Sequence, residues 1–183
     1  MNETKLIKLV DDIISCQIPE EDSMESKALK EIVSTIQGHC QTNSCKKHKG
    51  SCRYGFPKLP SDRTILAKPI CSKMDEKEKE ILLEKAKNTL AKAMYILEDP
   101  EIDKSMQFED FVSKIDKDLS VEDYIKHISI NRKGKSIILK RDVKECFITN
   151  YNREMIIAWN ANMDVQFALV PFAVKTGGCT SLS

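Results

Sequence analysis

The chain has 183 residues, 31% of them charged, with a net charge of only +1 and a hydrophobic share of 41%. These values support a modest core, so we expect one domain with room for a small appended module. No apolar run approaches the roughly 20 residues of a membrane span, and the first residues lack the pattern of a secretory signal. Seven cysteines, an odd number, favour reduced thiols. We therefore expect a nuclear or cytoplasmic protein that is neither secreted nor embedded in a membrane.

The first 36 residues predict two helices separated by a loop. Apolar residues recur at near-helical spacing over residues 6–14 and again over 29–36. Pro19 and the acidic residues beside it favour a loop between the two helices. We therefore expect a helical N-terminal segment over residues 1–36.

Residues 37–60, called the Cys/His segment below, separate this helical part from the rest of the chain. The segment reads QGHCQTNSCKKHKGSCRYGFPKLP and contains several basic residues but no acid. Its two closing prolines enforce extended backbone. The composition predicts a loop-rich insertion rather than a helix or a strand.

Residues 61–174 predict a mixed α+β part. The β-branched run 63–70 predicts an edge strand, and a long helix follows, with Ser72 as its cap and Pro100 as its end. Its predicted apolar stripe consists of Ile81, Leu82, Ala86, Leu90, Ala93, Met94 and Leu97. A shorter helix begins at Ser120. Further strands are predicted over 135–142, 144–152 and 163–170, a short helix over 152–161, and a patternless tail over 175–183.

Candidate metal ligands are concentrated in the Cys/His segment. Zinc takes four nitrogen or sulfur ligands in a tetrahedron, and short loops between ligands let a poorly packed segment close around the ion. Free buried thiols explain this stretch badly, because it has few apolar residues with which to bury a thiol. The sequence therefore predicts a zinc site formed by His39, Cys45, His48 and Cys52, with Cys40 as an alternative fourth ligand.

Basic and aromatic residues interleave in the same segment. Such a cationic stretch suits a phosphate backbone, and its rings suit stacking on the bases of a single strand. We therefore predict DNA, in single-stranded form, as the partner. A charge run that only keeps the loop solvated is the alternative. The candidate nucleic-acid contacts are Lys46, Lys47, Lys49, Arg53, Tyr54, Phe56 and Lys58.

Several catalytic arrangements are excluded by spacing. A P-loop needs a glycine five positions before Gly134, where the chain has Ser129, and the following residues predict a strand. Metal-dependent nicking by a tyrosine would need a His-x-His pair, which the sequence lacks. A Cys146–His127 dyad has no local sequence support. We therefore expect no catalytic residue in this chain.

Three stretches of the chain, 10–22, 37–69 and 148–173, resemble Helitron-type transposases, which are rolling-circle replication initiators fused to a DNA helicase. The resemblance implies the initiator region between a His-hydrophobic-His metal motif and a catalytic tyrosine motif. It also implies a family zinc site matched at His39, Cys45 and Cys52. The chain departs from the family at Gln41, where a His or Cys is usual. The remainder of the transposase, including the helicase, would then be a missing partner.

Taken together, the sequence predicts an α+β chain, with helices around a small, incomplete sheet and a zinc-knuckle-like insertion over residues 37–60. Residues 61–174 would form the initiator-like part. The expected function is nucleic-acid contact by a zinc-stabilised segment of a truncated Helitron-type transposase, without nicking or helicase activity of its own. Two alternatives are a zinc-organised protein-interaction module whose lysines only aid solubility, and an intact enzyme that uses other residues.

Overall fold

The computed structural model describes residues 2–42, 45, 52–70, 74–130, 135–167 and 169. It confirms the predicted α+β class, because the described residues form α-helices and a small antiparallel sheet of two strands. None of the described helices is both long enough and apolar enough to cross a membrane. The bounds are Glu3–Ile13 (α1), Met24–Ile32 (α2), Ile65–Ala67 (β1), Glu76–Glu98 (α3), Phe108–Ile115 (α4), Val121–Ile130 (α5), Ser136–Ile138 (β2) and Arg153–Trp159 (α6).

The N-terminal helices form where periodicity predicts them, because each has a polar residue that satisfies its first backbone N–H groups. The Asn2 side chain accepts a hydrogen bond from Thr4 N at the start of α1. Ser23 and Ser26 form a reciprocal capping box at the start of α2. A π-helical turn, Val33–Gln37, extends α2 and connects it to the Cys/His segment.

The long helix α3 begins later than predicted. Its cap is Asp75, whose carboxylate accepts from Lys77 N at 3.0 Å, and Ser72 lies outside the described residues. The prediction that Ile81 belongs to the buried stripe is wrong, since its side chain is 58% exposed. The buried residues of α3 all lie from Ala86 onward, because only this half of the helix packs against the core.

The main core lies where α3, α4 and α5 pack beside the sheet. Helix α4 was not predicted, although its apolar residues follow helical spacing. Tyr124 of α5 is fully buried there, and its hydroxyl donates to the Pro60 carbonyl at 3.1 Å. The core residues include Leu97, Phe108, Phe111, Val112, Ile115, Tyr124, Ile125, Ile128, Ile138 and Val143.

The sheet is smaller than predicted. β1 and β2 pair antiparallel, with Leu66 opposite Ile137, which confirms the strands predicted over 63–70 and 135–142. The strands predicted over 144–152 and 163–170 are wrong for their described residues. The backbone there forms isolated bridges and bonds to side chains rather than a continuous strand ladder. The Arg141 guanidinium takes the carbonyls of the first stretch, and the Gln37 amide exchanges two hydrogen bonds with Met163 in the second.

Residues 141–151, called the central loop below, bind three distant parts of the chain through their backbone. The Arg141 guanidinium shapes this loop from inside, with Nη1 donating to the carbonyls of Glu145 at 2.6 Å and Ile148 at 2.7 Å, and Nη2 donating to Asn150 at 2.9 Å. The antiparallel bridges to the rest of the chain are Ser15 to Tyr151, Gly38 to Ile148, and Ser61 to Arg141.

Arg141→Met removes these three hydrogen bonds, leaving the buried Ile148 carbonyl without this donor and the Glu145 carbonyl with Ile148 N alone. We expect the free energy of unfolding to fall by about 3 kcal/mol, measured by urea denaturation. Arg153→Met removes the same charge from an exposed position at the start of α6 and should change stability by less than about 0.5 kcal/mol. An equal loss in both variants would contradict the role assigned to Arg141.

His127 gives the core a dependence on pH. The imidazole is buried on α5, with Nδ1 2.9 Å from Thr89 Oγ1 of α3. Burial lowers the pKa of His127 below its ordinary value of 6.5, because the charged ring loses its hydration, and the nearby Asp123 carboxylate opposes this only in part. The folded protein therefore holds this ring neutral at pH values where the unfolded chain protonates it.

We expect this histidine's contribution to stability to be fully present above about pH 6.5 and to be lost as the pH falls below it. The measurement is the free energy of unfolding in urea at about pH 7.5 and about pH 5.5 for the wild type and for His127→Gln. The variant should lose less stability between the two pH values than the wild type. Identical losses would show that His127 does not carry the effect, since all other titrating groups are common to both proteins.

Candidate metal centre

His39 reaches its position because the backbone around it is held on both sides. The carbonyl of Gln37 accepts from Thr149 N at 2.9 Å, and His39 N donates to the Phe147 carbonyl at 2.8 Å. Gly38 between them is required by close approach, since a Cβ there would lie 2.9 Å from the Ser34 carbonyl oxygen. The central loop therefore determines where the imidazole lies.

Cys45 and Cys52 are positioned by local turns within the Cys/His segment. Cys45 N donates to the Thr42 carbonyl at 3.1 Å, and Thr42 N donates back to Cys45 Sγ at 3.3 Å. Arg53 N then donates to the Cys45 carbonyl, and Gly55 N to the Cys52 carbonyl, both at 2.9 Å. Gly55 adopts φ +69, a conformation that other residues rarely take. Turns of this kind direct successive thiols toward one point.

The three residues bring their ligand atoms together. The atoms of His39, Cys45 and Cys52 all lie within 4.8 Å of one another, and His39 Nε2 is 3.2 Å from Cys52 Sγ. Both cysteines are buried. Zinc binds sulfur at about 2.3 Å and imidazole nitrogen at about 2.0–2.1 Å in a tetrahedron, so neighbouring ligand atoms lie roughly 3.5–3.8 Å apart. The observed spread reaches that geometry with shifts of about 1 Å.

The surroundings of Cys52 favour its thiolate. Burial raises the pKa of this thiol, but hydrogen bonds from the backbone N–H groups of Phe56 and Tyr54 lower it. The Cys45 side chain and the Lys58 ammonium act in the same direction, and the net pKa lies below its ordinary value. Thiolate is the form that binds metal. The donor set therefore fits the ion in chemistry as well as in distance.

The imidazole is also in its metal-binding form. Burial lowers the pKa of His39, and the positive charge of Lys58 lowers it further. A neutral imidazole has a lone pair on one ring nitrogen, which a metal ion can accept. Two thiols and an imidazole form a set that suits zinc better than it suits calcium or magnesium, which prefer oxygen.

The sequence offers two residues, His48 and Cys40, as the fourth zinc ligand. His48 lies outside the described residues. Cys40 is exposed and is not part of the cluster formed by the other three ligands. Gln41, at the position where the resembled family has a ligand, donates through Nε2 to the Phe56 carbonyl at 3.3 Å. Of the described residues, three therefore assemble as candidate ligands.

The candidate nucleic-acid residues that the structure describes differ in how exposed their side chains are. Lys46, Lys47 and Lys49 lie outside the described residues. Arg53 and Tyr54 are exposed, with the guanidinium carbon 4.6 Å from the Tyr54 ring centroid. Lys58 is half-buried, with Nζ 4.7 Å from the centroid of Phe56. The segment thus exposes the ring of Tyr54 and holds Arg53 and Lys58 over the rings of Tyr54 and Phe56.

Phe56 differs from its predicted role as a stacking surface for bases. Its side chain is only 4% exposed, because the His39 ring stacks on it at 4.3 Å and Phe147 lies 6.4 Å away on a nearly parallel plane. The ring instead packs against the imidazole of His39, one of the candidate ligands. Sequence reasoning missed Phe147 as a neighbour, since no spacing pattern joins residue 147 to residue 56.

Comparison with protein-family models, with curated proteins and with solved structures finds no match for this chain. The interpretation of the site therefore rests on its own residues and geometry.

We expect the purified chain to bind about one zinc ion, and the Cys45→Ser, Cys52→Ser double variant to lose it, because two of the three assembled ligands are removed. The measurement is the zinc content by elemental analysis after purification without chelator. Cys40→Ser is the matched control, since it removes a neighbouring thiol outside the cluster, and it should keep its zinc. A wild-type zinc content no higher than that of the double variant would contradict the site.

Proposed function

We propose that this chain is a zinc-stabilised segment that contacts single-stranded DNA and derives from the initiator region of a Helitron-type transposase. The observation that carries the proposal is the convergence of His39, Cys45 and Cys52 within a segment rich in cations and without acids. Zinc, when bound there, supplies a structural cross-link that closes the segment. His48 is the further ligand that the sequence offers to the ion.

The proposal that the partner is nucleic acid is supported by which basic side chains form ion pairs with carboxylates. The ion pairs among the described residues engage Lys30, Arg63, Lys68, Lys79, Lys87, Lys92 and Lys144, all outside the Cys/His segment. Within the segment, Arg53 pairs with no described carboxylate and instead donates to the Tyr54 hydroxyl. A guanidinium such as that of Arg53, without a carboxylate partner among the described residues, can neutralise a phosphate and release its counterion.

The support for the family is the resemblance of residues 10–22, 37–69 and 148–173 to Helitron-type transposases. The support for a non-catalytic role is chemical, since the sequence has no His-x-His pair to hold a nicking metal and no P-loop to hold a triphosphate. In this proposal the segment positions DNA for chemistry carried out by other parts of such a transposase.

A second candidate function is protein binding, which one surface favours. Helix α6 exposes two large apolar side chains one turn apart, Met155 and Trp159, the latter 73% exposed. Exposed apolar patches are a feature of protein–protein contact surfaces. In this alternative the zinc segment organises a protein-interaction module, and its lysines only keep the loop solvated.

DNA binding by the wild type is expected to be weak, tolerant of sequence and steeply dependent on salt. If the five basic residues of the Cys/His segment each neutralise a phosphate of a single strand, log K should fall against log salt with a slope of about −3.5. Arg53→Gln should flatten that slope by about 0.7, whereas Arg153→Gln, at an exposed position on α6, should leave it unchanged. The measurement is fluorescence anisotropy with a labelled oligothymidine and zinc present.

Tyr54→Ala should instead lower the affinity by about 1–3 kcal/mol with little change in slope, because stacking releases no counterions. Absence of binding near 50 mM salt, or binding that is indifferent to both substitutions, would remove DNA as the partner and leave the protein-interaction candidate.

A further inference from the structure

Two side chains from distant parts of the chain, Phe147 and Lys104, add one more ring and one more cation beside those of the Cys/His segment. Phe147 of the central loop has its ring centroid 6.4 Å from that of Phe56, with 16° between the ring planes. Lys104, in the loop between α3 and α4, has its Nζ 4.5 Å from the centroid of Phe147. This repeats the arrangement of Lys58 over Phe56. Two neighbouring rings therefore each hold an ammonium over a face.

Lys104 keeps its charge available to an outside anion. It forms no ion pair with any described carboxylate, although it lies in an acidic loop. Two of the three acids of this loop are turned onto their own backbone, since Asp99 accepts from Glu101 N at 3.0 Å and Asp103 accepts from Ser105 N at 2.9 Å. The ring beneath Lys104 limits the positions of its ammonium.

We propose that Lys104 and Phe147 extend the DNA-contacting surface beyond the Cys/His segment. The ligand is the phosphodiester backbone of a single strand, with Lys104 contacting a phosphate and Phe147 positioning Lys104. A polyanion with regularly spaced charges can engage ammonium groups on neighbouring rings at once, and each such contact is a charge-assisted hydrogen bond. This inference rests on the proposed function and adds to it a contact from a different part of the fold.

The test compares Lys104→Gln with Lys117→Gln in the anisotropy titration across salt concentrations, with the 183-residue chain, zinc and the same oligothymidine. Lys117 is an exposed lysine between α4 and α5 without an ion pair or ring contact among the described residues. Lys104→Gln should flatten the slope of log K against log salt by about 0.7, and Lys117→Gln should leave it unchanged. Lys104→Arg should restore the wild-type slope, because the charge returns.

Phe147→Leu tests the positioning role, since leucine keeps an apolar side chain against Phe56 but removes the ring under Lys104. It should weaken binding in the wild-type background and have almost no further effect in the Lys104→Gln background, as two members of one contact do. A purely structural role would weaken binding equally in both backgrounds.

The outcomes separate the two proposals. If the wild type binds and Lys104→Gln keeps the same slope as Lys117→Gln, the extended surface is wrong while DNA contact by the Cys/His segment stands. If the wild type does not bind, the proposed function itself is wrong, and the extended surface with it. A flatter slope in Lys104→Gln alone, restored in Lys104→Arg, supports both.

Discussion

Three hydrogen bonds from the Arg141 guanidinium curl residues 141–151 into the loop to which the N-terminal half of the protein attaches. A buried guanidinium is costly to desolvate, and hydrogen bonds from its N–H groups offset that cost. Two of the three acceptors here are backbone carbonyls, which in a strand would accept from a neighbouring strand. The outer edge of the loop remains open for the bridges to Ser15, Gly38 and Ser61. The helices pack around a backbone connection that one side chain organises.

The candidate metal centre joins two parts of the molecule that are positioned independently. Cys45 and Cys52 owe their placement to turns within the Cys/His segment, whereas His39 owes its placement to the central loop. An ion bound by all three would therefore connect local structure to tertiary structure. The stacked rings of His39, Phe56 and Phe147 perform the same connection through packing. Metal binding and docking of the segment should strengthen each other, because they restrain the same groups.

Sequence reasoning succeeded where the physical cause is local. Helical spacing predicted α1, α2, α3 and α5, and the clustering of ligand types predicted three residues that the structure brings together. It failed where the cause is distant. The stretch 144–152 has a strand-like composition, but the Arg141 side chain takes the carbonyls that a strand would use. The sequence predicts Phe56 as an exposed stacking ring, whereas in the structure His39 and Phe147 cover it. Helix α4 was within reach, since its apolar spacing is visible in the sequence.

The long separation between the bridged residues has a consequence for the protein as it is made. The Tyr151 hydroxyl bonds to the Gln17 carbonyl across 134 residues of chain, so the N-terminal helices leave the ribosome long before the central loop that holds them. Contacts this distant close slowly and late. The turns that carry Cys45 and Cys52 need only their immediate neighbours and can form early, whereas His39 joins them only when the central loop holds its backbone. The three candidate ligands would therefore come together only after residues 147–149 have been made, so the metal centre would be completed late in folding even though two of its ligands are placed early.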